Sequence, residues 1–159
     1  MAAKGKSCAR CGGALNEKNL DRVSAGEVPL KLHMSGLPVY VCAKGHHAPV
    51  HGDFMLWLLR ELRETCVPTV PAGEAKGMLF KKYHCTCGAE LPAKPARAGT
   101  YAFDLGFPDS PAFKAELEVA VYQCGSCGKE LARSAKELTG AMPDAIVSLN
   151  DAAGFPHSG

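Results

Sequence analysis

Eight cysteines and six histidines in a chain of 159 residues are enough soft ligands for two metal sites, and their spacing sorts them into two sets. Cys8-x2-Cys11 is followed, after 30 intervening residues, by Cys42 and the stretch "CAKGHHAPVH", which carries His46, His47 and His51. Cys85-x-Cys87 is followed, after 36 intervening residues, by Cys124-x2-Cys127. Thiolate and imidazole share one tetrahedral shell around zinc, and closed shells of four cysteines, or of three cysteines and a histidine, hold structural ions. The expected ligands are therefore Cys8, Cys11, Cys42 and His46 in the first site. Cys85, Cys87, Cys124 and Cys127 make the second, with one structural zinc in each. His47 stays open as the fourth ligand of the first site, with His51 or water behind it, and His84 is an alternative in the second. Cys66 has no partner in either set and reads as a core or helix-end thiol.

The elements that would position these ligands also repeat. "SCARCGGALNE" matches "HCTCGAELPA", and "LPVYVCAKGH" matches "VAVYQCGSCG", superposing Cys42 on Cys124. This is the pattern of a divergent tandem duplication. In that alignment Gly45 stands where Cys127 would stand, and His46 follows at once, which predicts a knuckle one residue longer with imidazole in place of the missing sulfur. Between the cysteine pairs, Val28, Leu30, Leu32 and Met34 alternate with Pro29, Lys31 and His33, and "MSG" suggests a turn into Gly36–Cys42. Tyr101, Phe103 and Leu105 alternate in the second half. So do Phe113, Ala115, Leu117, Val119 and Val121, against Lys114, Glu116 and Glu118. Hairpins carrying a metal between two knuckles are zinc ribbons. The fold class expected is a small metal-stabilised α+β protein of two tandem ribbons, each followed by short helices.

Asp53 is placed to cap a helix through "FMLWLLRELRETC". Its stripe of Phe54, Met55, Leu58, Leu59 and Leu62, with Leu56 and Trp57 beside it, either packs inside or offers a surface to a partner. "KELARSAKELTG" predicts a short helix stopped by Gly140. "PDAIVSLNDAAG" predicts a second, with Pro143 in its first turn and Gly154 beyond its end. "VPTVPAGEAKG" has linker composition. The domains expected are 1–66 (first ribbon and helix), 67–77 (linker) and 78–159 (second ribbon and C-terminal helices).

Hydrophobic residues make up 47% and charged residues 21%, as in a soluble globular protein, while only 7% aromatic content promises thin cores. Cores that thin need a metal or disulfides. Residues 1–66 hold nine Lys/Arg against six Asp/Glu and residues 67–159 hold nine against ten, so neither half has the dense basic stripe that phosphate binding requires. No apolar run approaches the ~18 residues of a membrane span, and "MAAKGKSCAR" is not the start of a secretory signal. The expectation is a cytoplasmic protein, where cysteines serve metals rather than disulfides.

Cys8-x2-Cys11, the gap, and "GLPVYVC" leading into "DFMLWLL" give residues 7–65 a resemblance to the zinc-binding N-terminal domain of MqsA/YgiT-type antitoxins. The resemblance implies structural zinc on Cys8, Cys11 and Cys42, and a protein-binding role. The family's fourth cysteine corresponds to Gly45, which leaves that ligand to His46 or His47. No helix-turn-helix follows, so transcriptional repression is not implied.

The function expected is a non-catalytic adaptor or accessory subunit that binds another protein. A catalytic zinc keeps an open coordination position, whereas both sets here can be filled by protein ligands; there is no HExxH and no Gly-rich phosphate loop. Two alternatives remain. A ribbon face with Lys76, Lys81 and Lys82 would bind nucleic acid. Iron in the four-cysteine set would make a redox protein, since "CARCGG" and "CGSCGK" resemble rubredoxin knuckles.

Overall fold

The structure is a computed structural model that describes residues 2–50, 52–77, 82–107 and 112–156, with side chains from Ser7 onward. Its centre is an antiparallel sheet. β1 (Ala2–Ser7), β2 (Ala14–Glu27) and β3 (Leu30–Val41) come from the first half, and β7 (Arg97–Leu105) and β8 (Phe113–Gln123) from the second. The order across the sheet is β1-β2-β3-β8-β7. Short strands β4 (His47–Pro49) and β9 (Glu130–Ala132) pair with the ends of β3 and β8. β5 (Glu74–Lys76) and β6 (Lys82–His84) form a separate two-stranded sheet. The helices are α1 (Phe54–Glu61), extended by a π turn over Leu62–Cys66, and α2 (Ala135–Ala152).

The period-2 pattern of β8 does what it promises. Phe113, Ala115, Leu117, Val119 and Val121 are buried, and Lys114 is exposed between them. Leu30, Leu32 and Met34 of β3 point to the same side. They share one core with Leu58 and Leu62 of the first helical segment and Leu138, Met142 and Leu149 of α2. Each fully buried side chain of this size contributes about 1.5–3 kcal/mol. The other face of the sheet is polar. His33 lies 2.7 Å from Ser24 Oγ through Nδ1 and 3.2 Å from a Glu118 oxygen through Nε2, while Arg22 and Glu116 pair at 3.4 Å.

The two halves of the sequence join along β3 and β8, from Leu30 opposite Val119 to Ser35 opposite Lys114. The alignment that superposes Cys42 on Cys124 maps Leu32 onto Lys114 and Ser35 onto Leu117. Leu32 pairs with Leu117 and Ser35 with Lys114, so exchanging the halves returns the same pairing. Residues 67–77 take part too. Val67 and Val70 are buried, Ala132 N–H donates to the Pro71 carbonyl, and Gly73 N–H donates to the Ala132 carbonyl.

Several local expectations are corrected. "MSG" does not turn the chain: β3 runs through it, in unbroken register with β2 on both sides, and the turn lies at Val28–Pro29, whose peptide is cis. Gly36, at φ +74°, instead shifts the phase, so that buried positions change from Leu30, Leu32 and Met34 to Leu37 and Val39. The long β2 gave no alternation to read, because only Leu15 and Val23 in it are buried. Glu130–Ala132 is strand rather than helix, because it closes against Val121–Gln123 of β8.

The two C-terminal helices are one. α2 starts at Ser134, whose hydroxyl accepts from Glu137 N–H, and runs through Gly140 and Pro143 to the left-handed Gly154. A proline inside a helix removes the amide that would bond the carbonyl four residues back. That carbonyl belongs to Thr139, and Arg63 Nη2 donates to it at 3.1 Å. The side chain replaces the missing backbone donor, and the helix continues. Asp53 stands at the N-cap of α1 as expected, without a side-chain capping bond.

Candidate metal centres

The eight expected ligands come together in two clusters, one at the base of each long hairpin. Cys8, Cys11, Cys42 and His46 form one, and Cys85, Cys87, Cys124 and Cys127 the other. Within each, the ligand atoms lie within 4.8 Å of one another. In each cluster one knuckle precedes a long hairpin and the other follows it, so pairing β2 with β3, or β7 with β8, brings the knuckles together.

The knuckles themselves are built by backbone hydrogen bonds and one glycine each. Gly12, Gly45, Gly88 and Gly128 all have positive φ, which a residue with a Cβ rarely adopts. In two of them the turn is long: Gly12 N–H donates to the Cys8 carbonyl and Gly128 N–H to the Cys124 carbonyl, with Cys11 and Cys127 just ahead of the glycine. In the other two it closes one residue sooner: Gly45 N–H donates to the Cys42 carbonyl and Gly88 N–H to the Cys85 carbonyl. Each cluster pairs one long turn with one short turn. The turn at Cys42 thus closes one residue sooner than its counterpart at Cys124, while its ligands, Cys42 and His46, stand one residue further apart along the chain, as expected. His46 follows the glycine, and the reach of the imidazole beyond that of a thiol brings Nδ1 back to within 3.4 Å of Cys8 Sγ.

The separations suit a tetrahedral ion. With Zn–S about 2.3 Å and Zn–N about 2.0–2.1 Å, the edges of a tetrahedron are about 3.8 Å between sulfurs and about 3.6 Å from sulfur to nitrogen. Cys11 and Cys42 sulfurs are 3.7 Å apart, Cys85 and Cys127 3.6 Å, and Cys87 and Cys124 3.6 Å. A disulfide would need about 2.05 Å. Amide N–H groups of Arg10 and His46 point at Cys8 and Cys42 sulfurs, each at 3.4 Å.

The electrostatics ask for a cation. Burial raises the Cys42 thiol, but bonds from the His46 and Lys44 backbone and from neighbouring sulfurs outweigh it and bring it down to about 6. The Cys87 amide does most to lower Cys85, also to about 6. Cys124 is lowered by the amides of Cys127 and Ser126. Cys11 and Cys87 are driven the other way. The Ala89 amide lowers Cys87, yet its contact with Cys124, burial and the other sulfurs prevail and push it up to about 11. Several thiolates cannot crowd together uncompensated, and a divalent ion removes that repulsion. Two clusters that could each hold a metal ion are the chemistry this chain displays.

Around each cluster sits a small apolar patch apart from the main core. Leu15 and Tyr40 pack on the first, and Leu91, Tyr122 and Leu131 on the second. Arg133 braces the second: its guanidinium carbon lies 4.4 Å from the Tyr83 ring centre and 5.8 Å from that of Tyr122, and its Nε donates to Glu137 at 3.1 Å. Sequence reading missed Arg133, since nothing in "ELARSAKE" marks a cation as a ring partner.

The remaining candidates fall outside the clusters. His47 Nδ1 lies 2.9 Å from the Ala153 carbonyl and ties β4 to the end of α2. His84 sits in β6 with a buried Nδ1 that has no hydrogen-bond partner. Cys66 is fully buried at the helix end, and burial with the nearby Glu61 charge pushes its thiol up to about 11, far from a nucleophile's range. His51 and Lys81 lie outside the described residues.

Of the helical stripe, Phe54, Leu58 and Leu62 are buried in the core, and Met55 and Leu59 are half-buried. The apolar surface left outside is therefore rotated around the helix. Met55, Leu56, Leu59, Pro143, Ile146 and Val147 line a groove of about 410 Å³ between α1 and α2. Leu56 is 57% exposed and Val147 50%. No helix among the described residues is long and apolar enough to cross a membrane. Compared with protein-family models, curated proteins and solved structures, the chain matches none.

Proposed function

We propose that this protein is a non-catalytic zinc protein, an adaptor or accessory subunit of the cytoplasm that binds another protein, built as two ribbon modules on two structural zinc ions. The observation that carries the reading is the closure of both clusters. Each offers four thiol or imidazole ligands within 4.8 Å, which fills a tetrahedral zinc and leaves no position for a substrate or an activated water. The ions supply folding free energy at the hairpin bases, where only small apolar patches pack. The self-related pairing of β3 with β8 supports descent from a duplicated ribbon whose copies joined edge to edge.

The surface proposed for the partner is the α1–α2 groove, with Leu56 and Val147 at its open side. The resemblance of residues 7–65 to antitoxin zinc domains, which bind protein partners, is in keeping with this. Two measurements test the reading. Native mass spectrometry of protein purified without chelator should show two zinc ions per chain, and iron or no metal would refute it. Affinity capture should recover a partner that survives high salt and is lost with Leu56→Asp. Capture of nucleic acid released by salt would refute the protein-binding half.

A further inference from the structure

The two centres differ in one respect that bears on their chemistry. In the first, Cys8 and Cys42 are buried, Cys11 is half-buried and the fourth ligand is an imidazole. In the second, Cys85 and Cys124 are buried, at 4% and 1%, but Cys87 and Cys127 are exposed. Each exposed sulfur stands 3.6 Å from a buried sulfur of the opposite knuckle: Cys87 from Cys124, and Cys127 from Cys85.

We propose that the four-cysteine centre is an oxidant-responsive site, in which a peroxide converts the metal cross-link between the two knuckles into a disulfide cross-link while the Cys/His centre keeps its ion. The inference rests on both centres holding zinc. Access selects the first step: the exposed thiolate of Cys87 or Cys127 attacks a peroxide oxygen, the O–O bond breaks, and sulfenic acid and hydroxide form. The buried thiolate 3.6 Å away then attacks that sulfur and expels the second hydroxide. Two thiolates lose two electrons in all, and the peroxide gains them. A zinc ion left with two sulfurs departs, and a second peroxide closes the remaining pair.

The sulfur pairs that stand 3.6 Å apart join different knuckles, so the bridges expected are Cys87–Cys124 and Cys85–Cys127. Those bridges hold the same two chain segments that the ion held. The 85–88 turn, with Leu91 and the β5–β6 sheet beside it, stays joined to the end of β8 after the metal has gone. The first centre has a comparable sulfur pair, Cys11 and Cys42 at 3.7 Å, but it reacts more slowly and can close one bridge at most. Its ligands are less open, and a histidine cannot form the second bridge.

The test is native mass spectrometry of the zinc-loaded chain before and after graded hydrogen peroxide, followed by alkylation and peptide mapping. The untreated mass checks the premise separately: fewer than two zinc ions there would overturn the zinc reading itself. From two zinc ions, the expected product is a one-zinc species with inter-knuckle bridges, with Cys87 and Cys127 oxidised about tenfold faster than Cys11. Thiol reductant and zinc should restore the starting mass. Loss from the Cys/His centre first, bridges within a knuckle (Cys85–Cys87 or Cys124–Cys127), or sulfinic acid without disulfide would each overturn the proposal. In Cys127→Ser, only the Cys87–Cys124 bridge should form. If that variant does not fold, the wild-type bridge map decides alone.

Discussion

The continuity of α2 rests on an interaction that can be isolated by a double-mutant cycle. Pro143 deprives the Thr139 carbonyl of its helical donor, and Arg63 Nη2 supplies another at 3.1 Å. A hydrogen bond from a charged donor contributes about 1.5–3 kcal/mol when buried. This one is exposed, so water competes for the carbonyl and about 1 kcal/mol is the reasonable magnitude. Arg63→Met keeps much of the stem while removing the donor, and should destabilise the zinc-loaded protein by about 1 kcal/mol. Pro143→Ala restores an amide at the right place. Proline costs about 3 kcal/mol relative to alanine inside a helix. Part of that cost is already offset by Arg63, and the ring packs in the groove, so a gain of about 1–2 kcal/mol is expected. In the Pro143→Ala background the Thr139 carbonyl has its own donor, and Arg63→Met should cost under about 0.3 kcal/mol. The cycle thus predicts a coupling of about 0.7 kcal/mol. Urea unfolding of the four proteins, at fixed zinc, measures it. Equal costs of Arg63→Met in both backgrounds would refute the account of how the helix passes its proline.

Replacing Cys42 or Cys124 by serine should remove one zinc ion from the native mass and unfold the hairpin base it serves, seen as lost amide protection; retention of both ions would refute the ligand assignment. Cys42 and Cys85 have folded values of about 6 against 9.0 in the unfolded chain, so their contribution to stability is complete above pH 9 and is lost as pH falls toward 6. Metal binding runs in the same direction, and the urea midpoint should fall monotonically over that range; a midpoint that rises on acidification would contradict it. A Cβ at Gly73 would run into the His84 carbonyl and lie 3.1 Å from the Arg133 carbonyl, both of them backbone. Gly73→Ala should therefore cost about 1–3 kcal/mol. Gly125→Ala, with nothing within 4 Å, should stay within about 0.5 kcal/mol. Thermal melts of the two variants compare them directly, and equal shifts would refute the packing argument.

The sequence by itself marked the seven cysteines of the two candidate ligand sets, because thiols are rare and each knuckle is a local turn whose spacing can be read off the chain. It determined β7 and β8, where one face is buried and the other is solvated, so the pattern alternates residue by residue. It did not disclose β2, whose mostly exposed side chains carry no such pattern, and it misread Gly36 and Pro143. Both residues are legible as breakers only while their surroundings are ignored. A neighbouring strand holds the chain straight through the first, and a distant arginine supplies the donor missing at the second. The choice of His46 over His47 was likewise tertiary: it depends on where the short turn at Gly45 closes and on the Ala153 carbonyl that takes His47 instead. Above all, the repeat in the sequence announced two similar halves, but not that their β3 and β8 edges would join. Strand edges attract one another through backbone groups that every residue carries, so composition cannot say which edges meet. That was decided by the shared apolar face, on which Leu32 and Leu117 lie side by side beneath the helices.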